Sequence, residues 1–149
     1  MQIERLRLVV EEAEAAGWCL RLLEGSEELS EPRLTLEQGV LVFEGNVRVP
    51  LAGLVPFRTE WTAAVEEDGR VCIRLATASV FGWRGGSGFL TGLIMERAGK
   101  RLAGRPGVET EGNQILLNPD LLLAGLPVAV RLRIRAIAVE AGRLVVETA

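Results

Sequence analysis

The 149 residues contain no histidine, the side chain that most often serves as acid, base or zinc ligand near neutral pH. Cys19 and Cys72 stand far apart without a CxxC spacing, and they read as free buried thiols rather than a redox pair or metal ligands. The serines and cysteines have no imidazole to activate them. A lysine-assisted nucleophile would have to use Lys100, the chain's single lysine, on the polar side of a helix. Carboxylates cluster at Glu11, Glu12 and Glu14, at Glu27, Glu28 and Glu31, and at Glu66, Glu67 and Asp68. An acid/base pair needs one carboxyl in an apolar pocket that raises its pKa. These clusters fall on helix starts and turns, so they read as solvated surface. The residue types predict no enzyme, no metal site and no cofactor.

Other groupings carry weaker chemistry. Gly85-Gly86-Ser87-Gly88 precedes a helix but lacks the P-loop spacing and its Lys-Ser or Lys-Thr, so it reads as a hinge and helix cap. Gly99-Lys100-Arg101 lies within the same helix and carries no phosphate signal. Arg131, Arg133 and Arg135 fall on one face of a strand. Such a row can grip phosphates, but cross-strand pairing with Glu60, Glu66 or Glu147 is the expectation. Phe81 and Trp83 beside Arg84 offer a peripheral membrane contact, against the expectation that the rings fold under the following helix. The net charge of -3 argues against nucleic-acid binding. No stretch approaches the roughly 20 apolar residues of a membrane span. Met1 to Val10 lacks the apolar core of a signal peptide, so the chain as written is expected in the cytoplasm.

The elements that would position these groups are read from hydrophobic period. The length fits a single domain over 1–149. Ile3 to Val10 alternates as a strand, and Glu11 to Glu24 then shifts to helical spacing, with Ala15, Ala16, Cys19, Leu22 and Leu23 on one face. A single helix from Gln2 to Ala16 is the alternative. Ser26 to Pro32 reads as a solvated loop. Strands follow from Arg33, with a kink expected at Gly45 in Val40 to Val49. The clearest strand puts Phe57, Thr59, Trp61, Ala63 and Val65 on one face, turns at Glu67-Asp68-Gly69, and returns with Val71, Ile73, Leu75 and Thr77 on one side. A second helix runs from Ser87 to near Ala103; Phe89, Leu90 and Leu93 lie off its apolar stripe. Val108 to Leu117 forms a hairpin around Glu111-Gly112-Asn113. Asn118-Pro119 opens a short helical turn, and Val128 to Glu140 pairs with Arg143 to Thr148. No internal repeat organises the chain. The sum is about eight antiparallel strands and two helices, an α+β fold.

This order of strand, helix, long hairpins and Gly-led apolar helix, closed by Gly107–Leu123 and Leu126–Glu147, resembles the small bacterial branch of the tubular lipid-binding superfamily, relatives of bactericidal/permeability-increasing protein. The resemblance implies a long, highly curved antiparallel sheet wrapped around one or two helices, with no catalytic residues. It also implies noncatalytic binding of a lipid or other elongated apolar ligand between sheet and helix, touching Phe57, Trp61, Ile73, Leu75, Phe89, Leu90, Leu93 and Ile94. The alternative function is a protein-interaction or self-assembly module with a solid core, using Phe89, Leu90 and Leu93 or a free sheet edge.

Overall fold

A computed structural model describes residues 5–23, 27–51, 53–80, 87–122 and 133–148. The first described strand, β1 (Arg7–Glu11), leads directly into α1 (Glu12–Leu22), so strand then helix is the arrangement at this end. Then come β2 (Leu29–Glu37), β3 (Val40–Val49), β4 (Gly53–Val65) and β5 (Val71–Val80), followed by α2 (Ser87–Leu102). The remainder is β6 (Val108–Glu111), β7 (Gln114–Leu117), α3 (Pro119–Leu122), β8 (Ile134–Glu140) and β9 (Arg143–Thr148). The start of the last long strand, with Arg131, lies outside the described residues, as does the loop carrying Phe81, Trp83 and Arg84.

The strands do not make one curled sheet. They divide into a six-stranded sheet of order β2-β3-β4-β5-β7-β6 and a three-stranded sheet of order β1-β9-β8, all antiparallel. The expected long, highly curved sheet wrapped around the helices is therefore overturned: the sheets are neither curved round a helix nor closed. The physical reason is a long-range pairing. β9 holds β1 on one side and β8 on the other, so both ends of the chain are committed to a separate small sheet. Helix α2 packs on β5 and β6, while α1 packs on β2 and β1. Helix α2 thus meets only the larger sheet, whereas α1 touches one edge strand of each.

Within the larger sheet, the β4–β5 hairpin follows the expected faces only in part. Trp61 stands opposite Leu75, but Glu60 stands opposite Thr77, which leaves Ala76 as an extra residue. This bulge turns Thr77 to the other face, where its hydroxyl donates to Glu60 Oε2 at 3.1 Å. The turn uses the expected Asp-Gly chemistry. Gly69 has φ +85°, and Asp68 accepts from the Arg70 backbone N–H at 3.0 Å. That bond, then the Arg70 guanidinium, hold the Asp68 carboxyl below the usual carboxylate range.

Gly45 is fully buried, and its role is close approach rather than a kink. A Cβ there would lie 3.1 Å from Pro32 Cα and 3.2 Å from the Glu31 and Ser30 carbonyl oxygens. The β2–β3 register shifts between Ser30 and Arg33 at this point, and Glu31 takes a φ of +52°. Residues 29 to 32, expected in a loop, are thus strand. The bulge accommodates Pro32, which has no N–H for the ladder.

Two hydrogen bonds stitch the small sheet to the large one, and Glu12 at the start of α1 adds one to each. Gly39 N–H donates to Val139 C=O at 2.8 Å, Gly142 N–H to Leu36 C=O at 2.8 Å and Glu12 N–H to Gly142 C=O at 3.0 Å. Glu12 Oε1 accepts from Leu36 N–H at 2.7 Å. Glu12 is therefore a clamp between α1 and β2 rather than a solvated carboxylate.

Candidate interaction surface

The residues expected to line a ligand site divide into three groups. Trp61, Leu75, Ile73 and Ile94 come together, and they pack on one another and on Met95, Leu41, Phe43 and Ile115. Register explains the convergence. Leu41, Trp61 and Leu75 are successive cross-strand partners, as are Ile73 and Ile115, and α2 lays Met95 onto them. Trp61, Leu75 and Met95 are all buried. The indole N–H, the polar handle of this cluster, donates to Thr59 Oγ1 at 2.8 Å, and that hydroxyl donates to Phe43 C=O at 2.8 Å. Phe57 stands apart from the three-residue core and stacks on Phe43 at 5.5 Å between ring centroids, tilted by 53°. Phe89, Leu90 and Leu93 lie on α2, and their side chains fall outside the described residues.

Among the described residues, a polar cleft lies beside α2. It holds about 420 Å³ and is lined by Glu28, Glu96, Arg97, Lys100 and Arg101. Its charges are matched across it, with Arg97 paired to Glu28, and Lys100 to Glu96 at 3.4 Å. On the opposite face of the larger sheet from the core, Arg58 reaches Glu37, Glu44 and Glu60 at 3.4 to 3.8 Å, spanning the row that holds the fully buried Val42. Arg135 pairs with Glu147 at 3.7 Å, the cross-strand partner expected for the arginine row. These groups compensate one another across neighbouring strands at partly exposed positions.

Among the described residues, no group of three or more His, Cys, Asp or Glu could hold a metal ion. Both cysteines are free; Cys72 is buried, whereas Cys19 is only half-buried, and burial pushes both thiols up. No described helix is long and apolar enough to cross a membrane.

Large apolar side chains are exposed in several places, among them Leu51, Leu54 and Leu121. Of the large apolar side chains exposed to solvent, Leu8 and Val9 lie on β1 and Trp18 and Leu20 on α1. Trp18 is 55% exposed. Every described side chain of β1 and α1 is exposed or half-buried, and none is buried. Leu8 and Val9 are adjacent in a strand, so their side chains point to opposite faces. Each face of β1 thus shows part of an apolar side chain to solvent, and its outer edge has no partner strand among the described residues. Sequence reading passes over Trp18 and Leu20 because they lie off the Ala15–Cys19–Leu22 stripe. Their position outside that stripe was the signal.

No family model, no curated protein and no solved structure matches this chain. The resemblance to tubular lipid-binding domains implied a sheet curled round a helix, and the two open sheets contradict that implication.

Proposed function

We propose that this chain is a noncatalytic protein-interaction or self-assembly module with a solid core, and that β1 and α1 form its contact surface. The observation that carries the reading is the contrast between the two ends of the molecule. The apolar residues between α2 and the larger sheet satisfy one another, down to the Trp61 indole N–H. Those of β1 and α1 leave Leu8, Val9, Trp18 and Leu20 in water. Burying large apolar side chains of this kind is worth about 1.5–3 kcal/mol each, gross, and exposed apolar groups of this kind mark contact surfaces. The outer edge of β1, without a partner strand among the described residues, adds backbone groups that another strand can complete.

The reading is tested by extracting the purified native protein with organic solvent and analysing the extract by mass spectrometry. A solid core yields no stoichiometric apolar molecule. A lipid recovered in stoichiometric amount contradicts the reading.

A further inference from the structure

The side-chain order of β1 is one that can pair antiparallel with itself, and the chain contains an example of that pairing. The pentapeptide Arg-Leu-Val-Val-Glu occurs twice, as Arg7–Glu11 and as Arg143–Glu147. These are β1 and the first five residues of β9, and they pair antiparallel in the register Arg7↔Glu147, Leu8↔Val146, Val9↔Val145, Val10↔Leu144, Glu11↔Arg143. The segment is self-complementary about its central valine. An arginine meets a glutamate at each end, and leucine meets valine between them.

Hydrogen-bond parity shows which backbone groups remain for a partner. Thr148 N–H donates to Leu6 C=O at 2.9 Å, and Glu12 N–H donates to Gly142 C=O at 3.0 Å. Even-numbered positions of β1 therefore face β9. In an antiparallel pair the facing positions alternate, so Arg7 and Val9 direct both backbone groups, and Glu11 its N–H, to the outer edge, while the Glu11 C=O caps α1. The sequence is centred on Val9, and Val9 is one of those outward positions. A two-fold axis beside Val9 sets Val9 against Val9 of the second copy and Arg7 against its Glu11, all with the parity the edge requires. Helix α1 begins at the Glu11 end of β1 and packs on β2.

We propose that two copies of this chain associate through β1, antiparallel and in that register, joining two three-stranded sheets into one six-stranded sheet. The contact is isologous, so it closes at a dimer. It specifies the partner for the interaction-module reading and rests on it.

Sedimentation equilibrium over a range of protein concentrations tests the pairing. The unmodified chain should approach twice the chain mass as concentration rises. Val9→Pro removes an outward N–H and none that faces β9, so it should remain monomeric with an unchanged fold by circular dichroism. Arg7→Glu should weaken association, because it sets like charges opposite each other twice across the axis. Adding Glu11→Arg restores opposite charges between the copies while both pairs with β9, Glu147 and Arg143, become like-charged, so recovery of the dimer in a folded double variant is particular to this register. Should Val9→Pro not fold, the charge exchange decides alone. A chain that stays monomeric at every concentration overturns the pairing, as does a double variant that does not recover. A dimer that persists in folded Val9→Pro also overturns it, while leaving the interaction-module reading standing on another surface. Stoichiometric lipid in the solvent extract removes that reading independently.

Discussion

Replacing Trp61 with alanine is expected to destabilise the protein by about 3–5 kcal/mol, the largest effect of any single truncation considered. Trp61 is 9% exposed and packs between Leu75, Met95 and the flanking Leu41, Phe43, Ile73, Ile94 and Ile115. Its removal loses the transfer free energy of a large aromatic group and leaves a cavity that strands β3, β4 and β5 resist closing. Total stabilities of single domains are about 5–15 kcal/mol, so the loss is a large share of the whole. Denaturant titration should show a much lower midpoint with a similar slope. A core lined for a ligand would behave differently: the indole would border empty or exchangeable space, and its truncation would cost far less.

The second large effect is polar. Thr59 is 2% exposed, and its hydroxyl accepts from the Trp61 indole and donates to the Phe43 carbonyl, each at 2.8 Å. Thr59→Val keeps the β-branched shape and removes both bonds. The indole N–H then sits in a dry core without an acceptor, at a cost of about 1–3 kcal/mol. The double variant Thr59→Val with Trp61→Phe removes donor and acceptor together. Its loss should fall short of the sum of the single losses by about 0.5–3 kcal/mol, the range for groups in direct contact. Strict additivity, measured by the same titrations, would mean the hydroxyl and the indole do not interact.

Much of the strand content was legible because it is local. The alternation from Phe57 to Val65, the Asp68-Gly69 turn, the Gly112-Asn113 turn and the Asn118-Pro119 cap each rest on residues a few positions apart, and each is present. The Asn118 side chain accepts from Asp120 N–H at 3.1 Å, as a cap should. What was not legible depends on partners distant in sequence. The bulge at Ala76 reverses the face of Thr77, yet nothing in Leu-Ala-Thr marks it, because its cause is the register with Glu60 and Trp61. Pro32 in strand β2 depends on Gly45 across the ladder. Glu12 looked like any carboxylate at a helix start until Leu36 was placed beside it.

The division into two sheets is the most instructive case. Helix and strand periods report which face is apolar, and they do not report which strands pair. The order of elements was compatible with one continuous curled sheet, and pairing of β1 with β9 across the whole chain decided otherwise. A sequence signal for that pairing existed in the repeated Arg-Leu-Val-Val-Glu, too short to register as an internal repeat. The same signal carries the candidate contact site. The expected apolar site residues were largely legible as core, since Trp61, Ile73, Leu75 and Ile94 do converge, but convergence of apolar residues is what any packed interior requires.

Amide-proton exchange by NMR at low and high protein concentration is the most direct test of β1 as a docking strand. Leu8 and Val10, whose amides face β9, should be protected at every concentration. Val9 and Glu11, whose amides face outward, should exchange rapidly in dilute solution and become protected as copies pair. Fast exchange at Val9 and Glu11 at all concentrations would contradict the account.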